Sequence, residues 1–330
     1  MTTTAVSSAA LGARLRERDL TAAPAALNLL ESTTPDAREQ TAQLLAELSP
    51  AALGGEAPGH VVGVTGPPGV GKSTLLSALL AAWRGAERTV AMLAVDPSSR
   101  RSGGALLGDR ARVEFDPSDA GTFIRSTAAG SRLGGLAPAT RSAADALAVA
   151  FDVVVIETVG VGQGETDVAD AADTVAVVVQ PGSGDTLQFL KSGIMEIPDV
   201  VVVTKADLGT LAQRTLRDVR ASLRSLGSTS TRALAVSAAP PPRGIDELVR
   251  ALDEHREAID VGERRRRARR RAALADFTLE FGERGVRALG GRPQLERWVA
   301  DQDPALDIAT LAMRLGERAL LELGEGGRPQ

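Results

Sequence analysis

Lysine is rare in this chain, and all three of its lysines lie in segments typical of nucleotide chemistry. They are Lys72, Lys191 and Lys205, beside 35 arginines. Arginine's planar fork cannot replace a compact ammonium group where the backbone closes tightly around phosphate oxygens. A chain that keeps lysine at only these positions therefore points to sites that need the smaller cation.

The first lysine belongs to a complete G-x-x-x-x-G-K-[ST] motif. The motif consists of Gly66, Pro67, Pro68, Gly69, Val70, Gly71, Lys72 and Ser73, and Thr74 follows it. Its glycines let backbone N–H groups converge on phosphates at the positive end of the next helix. Lys72 is predicted to reach the β- and γ-phosphates, and the Ser73 hydroxyl to bind magnesium. The motif predicts a site for a nucleoside triphosphate.

Magnesium also needs carboxylates, because Mg²⁺ prefers oxygen ligands. Asp96 directly follows the predicted strand Thr89–Val95, and Glu157 directly follows Asp152–Ile156. Asp109 ends the polar segment that starts at Asp96, which is a candidate switch ordered by the γ-phosphate. Each acid could instead be a helix cap or a solvated loop charge, an alternative that is most open for Asp109.

The turn after Glu157 has the form of a γ-phosphate sensor, in which the Gly160 N–H would bond the terminal phosphate. The next position, where many signalling GTPases carry a water-positioning glutamine, is Val161. Valine cannot orient a water, so intrinsic hydrolysis should be slow unless Gln163 or a partner substitutes.

The segment Thr204-Lys205-Ala206-Asp207 has the [N/T]-K-x-D form of guanine-binding proteins. Guanine presents N1–H and N2–H side by side, and the Asp207 carboxylate can accept both. Adenine has an acceptor at N1, which leaves unpaired polar groups and costs about 1–3 kcal/mol. The stem of Lys205 would lie along the base. Backbone N–H groups for the guanine oxygen are expected from Ser237, Ala238 and Ala239.

Short Val-rich runs bounded by turns predict the strands that position these motifs. They are His60–Thr65, Thr89–Val95, Asp152–Ile156, Thr174–Gln180, Asp199–Thr204 and Leu234–Ser237, with a possible short strand at Thr122–Ile124. Helical patterns alternate with them at Ser73–Arg84, Thr140–Ala150 and Gln213–Leu226. This alternation predicts an α/β fold with a doubly wound, mostly parallel sheet of the P-loop NTPase type.

Helical patterns flank this region, which gives three predicted parts. Residues 1–55 form a helical N-terminal extension, residues 56–260 the nucleotide domain, and residues 261–330 a helical C-terminal arm. The arm begins with seven arginines in the eight positions Arg264–Arg271. Acidic neighbours and the lack of interleaved aromatics favour a solvated helix face or an acidic partner over a nucleic-acid site.

Composition excludes several other classes. The chain has no cysteine and two histidines, so a thiolate metal site is impossible and a histidine site is not expected. A net charge of −4 argues against a general nucleic-acid binder. No apolar run has the length of a membrane span and no signal-peptide core is evident, so a cytoplasmic protein without membrane partners is expected.

The motifs, together with Glu157-Thr-Val-Gly160-Val-Gly-Gln163 and Asp96-Pro-Ser-Ser, resemble those of the MeaB/ArgK family of P-loop GTPases, which includes the human methylmalonic aciduria type A protein. The resemblance covers roughly residues 10–325. It implies a GTP-hydrolysing chaperone that gates cofactor loading of an adenosylcobalamin-dependent acyl-CoA mutase and protects or reactivates it. It also implies GTP/GDP and Mg²⁺ as ligands, and a homodimer joined through the C-terminal helices.

The resemblance assigns roles to further residues. Lys72 and Ser73 match the P-loop, Asp96 and Asp109 the acids of the first switch, and Glu157 the magnesium-linked strand end. The segment from Gly182 to Lys191 resembles an additional switch and contains Gln188; Lys191 could equally be a surface lysine. The family usually has asparagine where Thr204 stands, so bracing of the P-loop should be looser here.

Two alternatives come from other classes of protein. An older name of the family, arginine/ornithine transport kinase, implies a phosphotransferase, although no dedicated substrate base is evident. A nickel-insertion GTPase of similar architecture would be expected to carry His or Cys clusters, which this sequence lacks. The client mutase stays open between methylmalonyl-, isobutyryl- and ethylmalonyl-CoA mutase.

Overall fold

The computed structural model describes residues 7–96, 113–128, 136–158, 164–182, 197–228 and 230–325. By its contacts the chain divides into two compact units. One is Pro58–Asp260, and the other combines Met1–Ala57 with Val261–Gln330. The sequence patterns predicted helical segments at both ends of the chain but gave no sign that these segments share one unit.

Within the described residues, the unit Pro58–Asp260 contains a sheet of seven parallel strands. They are β1 (His60–Thr65), β2 (Val90–Asp96), β3 (Thr122–Ala128), β4 (Val153–Thr158), β5 (Thr174–Val179), β6 (Val200–Val203) and β7 (Arg232–Ala235). Their order across the sheet is β3-β2-β4-β1-β5-β6-β7. The strands β1, β4, β5 and β6 are buried along their whole length, because parallel sheets are covered on both faces.

The helices of the described residues are α1 (Ser8–Arg16), α2 (Ala23–Leu30), α3 (Pro35–Glu47), α4 (Pro50–Leu53), α5 (Lys72–Gly85), α6 (Pro138–Ala150), α7 (Gly164–Ala171), α8 (Thr210–Ser225), α9 (Ile245–Ala258), α10 (Val261–Ala288), α11 (Arg292–Ala300) and α12 (Ile308–Glu325). α5 and α9 pack on one face of the sheet, where Leu79 and Leu248 join Val64 in the core. α7 packs on the other face, since a methyl group on Gly63 would lie 2.7 Å from Val168 Cγ2. The predicted doubly wound fold is confirmed.

The strand β3 is longer than predicted. It pairs with β2 over seven residues, from Thr122 opposite Val90 to Ala128 opposite Asp96, whereas the sequence indicated only Thr122–Ile124. Its polar second half does not look like a buried strand. The Arg84 guanidinium holds the segment just before β3 in place by donating to both carboxylate oxygens of Asp119 at 2.6 and 2.8 Å. These hydrogen bonds hold the pKa of the Asp119 carboxyl well below its usual range.

Both histidines lie at the amino-terminal edge of the sheet and share one threonine. His60 Nε2 and His255 Nδ1 lie 2.8 and 2.9 Å from the Thr174 hydroxyl. The other ring nitrogen of His255, Nε2, is 3.1 Å from Asp199 Oδ1. Burial lowers the pKa of the His60 imidazole, and hydrogen bonding to Asp253 only partly opposes this. The network joins α9 to the first residues of β1 and β5.

The lowered pKa of His60 predicts a loss of stability in mild acid. A histidine whose pKa is lower in the folded state gives stability that is present above its unfolded pKa, about 6.5, and is lost as the pH falls through its folded pKa. The free energy of unfolding should therefore fall between pH 7.5 and 5, by at most about 1.4 kcal/mol per pH unit for this one proton. Urea unfolding of wild type and His60→Gln, which keeps a hydrogen-bonding group and His255, would measure it. An equal loss in both proteins would contradict the assignment to His60.

In the helical unit, the arginine run Arg264–Arg271 contains a buried arginine as well as exposed ones. Arg269 of α10 is buried, and its fork donates to both Glu56 carboxylate oxygens at 2.9 and 2.8 Å and to the Pro304 carbonyl at 3.0 Å. Arg265 donates to the Ala57 carbonyl at 2.6 Å. These bonds tie the end of the N-terminal segment to α10. None of the helices in the described residues is long and apolar enough to cross a membrane.

Replacing Arg269 with methionine should destabilise the protein by about 2 kcal/mol. Methionine keeps the length of the side chain but removes the guanidinium that pairs with the Glu56 carboxylate. Breaking a buried ion pair by removing one partner is costly. Arg267→Met is the matched control, because that side chain is 63% exposed and surface changes stay within about 0.5 kcal/mol. Chemical denaturation of the full chain is the measurement; equal effects of the two variants would show that the fork on Glu56 contributes nothing particular.

Candidate nucleotide site

The loop Gly66–Ser73 joins β1 to α5 at the carboxyl end of the sheet. Gly66, Gly69 and Gly71 have φ angles of 150°, 77° and 93°. Residues with a Cβ rarely adopt such positive φ angles. A Cβ on Gly66 would also lie 2.1 Å from the carbonyl oxygen of Val178. Close contact with β5 therefore excludes a side chain at the first glycine, and the backbone turn favours glycine at the other two.

Lys72 is the first residue of α5 and is 8% exposed. Its ammonium donates to the carbonyl oxygens of Gly66 at 2.7 Å and Pro67 at 3.2 Å, so it lies within the curve of the loop. Leu75 N donates to the Gly71 carbonyl. The N–H groups of the first turn precede this bond and have no acceptor within a helix. The cation, these N–H groups and the positive helix end together suit a phosphate.

Two of the predicted acids lie on strands close to the loop. In the register of the sheet, Glu157 of β4 pairs with Val64 of β1 on one side and with Ala94 of β2 on the other. Asp96 is the last residue of β2, two residues beyond Ala94. Glu157 is 2% exposed and lies inside β4, whereas the sequence placed it just after the strand. The topology brings both positions to the edge of the sheet where Lys72 lies.

Three buried hydroxyl groups near this edge make no hydrogen bond within the part of the chain that the structure describes. They belong to Thr65 of β1, Ser126 of β3 and Thr158 of β4. Leaving a buried hydroxyl unsatisfied costs about 1–3 kcal/mol, so such groups normally bond protein, water or an ion. Ser126 lies on the same face of the sheet as Glu157, whereas Thr65 and Thr158 lie on the other face, because side chains alternate along a strand. The Ser126 hydroxyl therefore fits a site that a ligand, its metal or water completes. No sequence motif pointed to Ser126, which pairs with Ala94 across from Glu157.

The base motif follows β6 and is tied to the segment after β7. Lys205 has a left-handed φ of 55°, and the next N–H, of Ala206, donates to the Val236 carbonyl at 3.0 Å. The buried Ser237 hydroxyl donates to Asp207 Oδ1 at 2.8 Å, while Asp207 itself is exposed. The serine therefore orients a carboxylate that stays open to a ligand. The sequence suggested only a backbone role for Ser237.

Thr204 joins the base motif to the phosphate loop. Its buried hydroxyl lies 2.6 Å from the Val70 carbonyl oxygen and 3.1 Å from that of Val179. Its N–H also donates to Val179 at 2.9 Å. The sequence predicted looser bracing here because threonine lacks an amide. The structure shows that the hydroxyl alone still links the two loops.

The end of β5 supplies a contact that the sequence did not predict. The Lys205 ammonium donates to the Gln180 side-chain oxygen. Gln180 directly follows β5, and β5 lies between β1, which leads into the phosphate loop, and β6, which leads into the base motif. The signal in the sequence was a polar residue closing a Val-rich run, although this pattern is common at strand ends.

Several predicted site residues cannot be placed. Asp109, Gly160, Gln188 and Lys191 lie outside the described residues, and so does the side chain of Asp96. Their roles stay predictions. Of the two alanines after Ser237, Ala238 is half-buried and Ala239 is exposed.

Sequence comparison identifies the family. The profile of the family described as "Methylmalonyl Co-A mutase-associated GTPase MeaB" matches residues 23–284. The chain belongs to this family. The match spans the phosphate loop, Glu157 and the base motif, so the family predicted from these motifs is confirmed.

Relatives of this MeaB-family chain carry related names. A protein named as a probable GTPase in Mycobacterium tuberculosis is 40% identical over 277 residues, which are 82% of this chain and 81% of its own. The mouse protein named "Methylmalonic aciduria type A homolog, mitochondrial" is 42% identical over 150 residues, 44% of this chain and 35% of its own. The match thus covers only part of each of the two chains.

A solved structure shares the fold over almost the full length. This structure, named "Crystal structure of LAO/AO transport system kinase", is 27% identical to this chain, with a TM-score of 0.61, and the match covers 94% of this chain and 97% of that one. The likeness therefore includes the terminal helices as well as the P-loop sheet.

Proposed function

We propose that this protein is a magnesium-dependent GTPase that gates adenosylcobalamin loading of a B12-dependent acyl-CoA mutase of the methylmalonyl-CoA mutase type and protects or reactivates that enzyme. The observation that carries the nucleotide part is the carboxylate of Asp207, oriented by Ser237 and linked through Thr204 to the loop that holds Lys72. A fixed carboxylate accepts the two adjacent donors of guanine, and the loop takes the phosphates.

Magnesium binding is proposed for the carboxyl edge of the sheet. Ser73, Asp96, Asp109 and Glu157 would hold the ion. The unsatisfied hydroxyl of Ser126, on the same face of the sheet as Glu157, supports a site there that needs further ligands. When bound, the ion would neutralise charge that develops on the phosphates. Lys72 would orient the β- and γ-phosphates, and the Gly160 N–H would bond the terminal one. Val161 offers no group to position a water, which supports a slow intrinsic rate.

The mutase partnership and the dimer rest on different support. The family description and the name of the mouse relative support a mutase client.

The dimer is proposed to form through one of three parts of the chain. We assign residues 1–55 to an N-terminal extension, residues 56–260 to the nucleotide domain and residues 261–330 to a dimerisation arm. On α12, Met313, Leu320 and Leu321 are 54%, 62% and 68% exposed and share one helix face by their spacing. An exposed apolar stripe of this kind suits a subunit contact.

Co-purification tests the mutase proposal. Full-length protein is mixed with purified methylmalonyl-, isobutyryl- and ethylmalonyl-CoA mutases in GDP and in a non-hydrolysable GTP analogue, with Lys72→Ala as the control that cannot sense the nucleotide. One mutase should bind, with an affinity that depends on the nucleotide in wild type only. If none of the three binds in either state, the chaperone role is wrong.

The structural relative is named as a kinase, and this makes phosphotransfer the second candidate. A kinase would transfer the γ-phosphate to arginine or ornithine and should show ATP turnover that rises with the amino acid. GTP turnover that arginine does not change, with no phospho-arginine formed, supports the proposed function. Phospho-arginine formation would favour the kinase.

A further inference from the structure

The end of β5 contacts both halves of the proposed nucleotide site. Gly66 of the phosphate loop approaches Val178 so closely that a Cβ would be 2.1 Å from its carbonyl oxygen. Thr204 of the base motif bonds the Val179 carbonyl through its N–H and its hydroxyl. The next residue, Gln180, is half-buried. The backbone that leads to this side chain is therefore held by contacts with both loops.

Gln180 accepts a hydrogen bond from the Lys205 ammonium. An ammonium group is only a donor, so it selects the oxygen of the amide. The acceptor is neutral, which matters here. A carboxylate would hold the lysine as well but would neutralise it, whereas the amide fixes the ammonium and leaves its positive charge intact.

We infer that Gln180 is a positioning residue for nucleotide binding, which holds the Lys205 side chain in place before the base arrives. This inference rests on the proposed guanine-nucleotide function. Lys205 is exposed, and an exposed lysine otherwise samples many rotamers. Its backbone is already fixed in the left-handed conformation, so the bond to Gln180 fixes the remainder of the side chain.

The expected effect follows from pre-organisation. Ordering one rotamer-rich side chain at the moment of binding weakens affinity by about 3- to 10-fold. Gln180→Met, which keeps the length of the side chain but removes the strong acceptor, should weaken GDP binding by that factor. In the proposed site the stem of Lys205 would lie along the face of the base and would not read its edge. The preference for GDP over ADP should therefore stay unchanged in Gln180→Met.

A double-mutant cycle in the full-length protein tests the inference. GDP affinity is measured for wild type, Gln180→Met, Lys205→Met and the double variant, with ADP in competition and the unfolding temperature of each nucleotide-free protein as a control. The Gln180→Met change should weaken GDP affinity 3- to 10-fold when Lys205 is present and less than about 2-fold in the Lys205→Met background, because the effects of coupled residues are not additive.

Two results would overturn the role of Gln180. One is unchanged GDP affinity in Gln180→Met. The other is an equal loss in both backgrounds, since Gln180 would then act without Lys205. A wild-type protein that shows no preference for GDP over ADP is a separate outcome, which overturns the proposed guanine specificity and this inference with it.

Discussion

Replacing Lys72 with alanine is expected to weaken GTP and GDP binding at least about 100-fold while the protein stays folded. In this structure the ammonium lies within the phosphate loop, 2.7 Å from the Gly66 carbonyl oxygen. A small movement would let it replace its hydrogen bonds to the loop carbonyls with hydrogen bonds to phosphate oxygens. Charge-assisted hydrogen bonds contribute about 1.5–3 kcal/mol each, and 1.4 kcal/mol is a factor of ten. Loss of two such bonds accounts for the factor.

Calorimetry with GDP, GMP and guanosine would check this prediction. GMP and guanosine lack the β-phosphate, so their affinity should change little in Lys72→Ala. Lys72→Arg should also bind GDP poorly, because the wide guanidinium does not fit the same loop. Circular dichroism and the unfolding temperature without nucleotide serve as the folding control. Full GDP affinity in Lys72→Ala would refute the assignment of the phosphate loop.

Replacing Asp207 with asparagine should remove the preference for guanine. The Ser237 hydroxyl fixes one carboxylate oxygen at 2.8 Å, and the acceptor pair that remains is suited to the N1–H and N2–H donors of guanine. Asparagine replaces one acceptor with an NH₂ donor, which then faces a donor. The mismatch costs about 1–3 kcal/mol, so GDP affinity should fall by about 10- to 100-fold.

The same change should create a preference for xanthine. Xanthine has an N1–H donor beside a C2 carbonyl acceptor, which matches the two halves of an amide. Competition of GDP, XDP and ADP for Asp207→Asn measures this directly. Asp218→Asn is the matched control, because Asp218 is an exposed acid on α8. Unchanged selectivity for GDP in Asp207→Asn would mean that another residue reads the base.

The nucleotide motifs and the sheet could be predicted because both depend on local sequence. The phosphate loop needs glycine at fixed positions for its backbone turns, and continuous Val-rich runs indicate strands that are buried on both faces. The order of strands was not predictable in detail. β3 is an edge strand with a polar second half, and its pairing with β2 depends on tertiary contacts such as the one between Arg84 and Asp119.

The position of Glu157 shows a similar limit. The sequence indicated a strand that ends before the acid, since a carboxylate is unusual inside a buried strand. The structure places it within β4 and 2% exposed. The neighbouring strands decide this, because the ladder with β1 reaches Glu157 opposite Val64 and the ladder with β2 continues to Thr158 opposite Val95.

The sequence by itself determined which groups are available and roughly where each meets the backbone: the lysine and serine of the phosphate loop, the aspartate of the base motif and the strands before them. Only the tertiary structure decided which of these groups touch. The bonds from Thr204 to Val70, from Ser237 to Asp207 and from Lys205 to Gln180 join residues 134, 30 and 25 positions apart. No local pattern records such pairs, because they form only when the strand order brings separate loops to the same edge of the sheet.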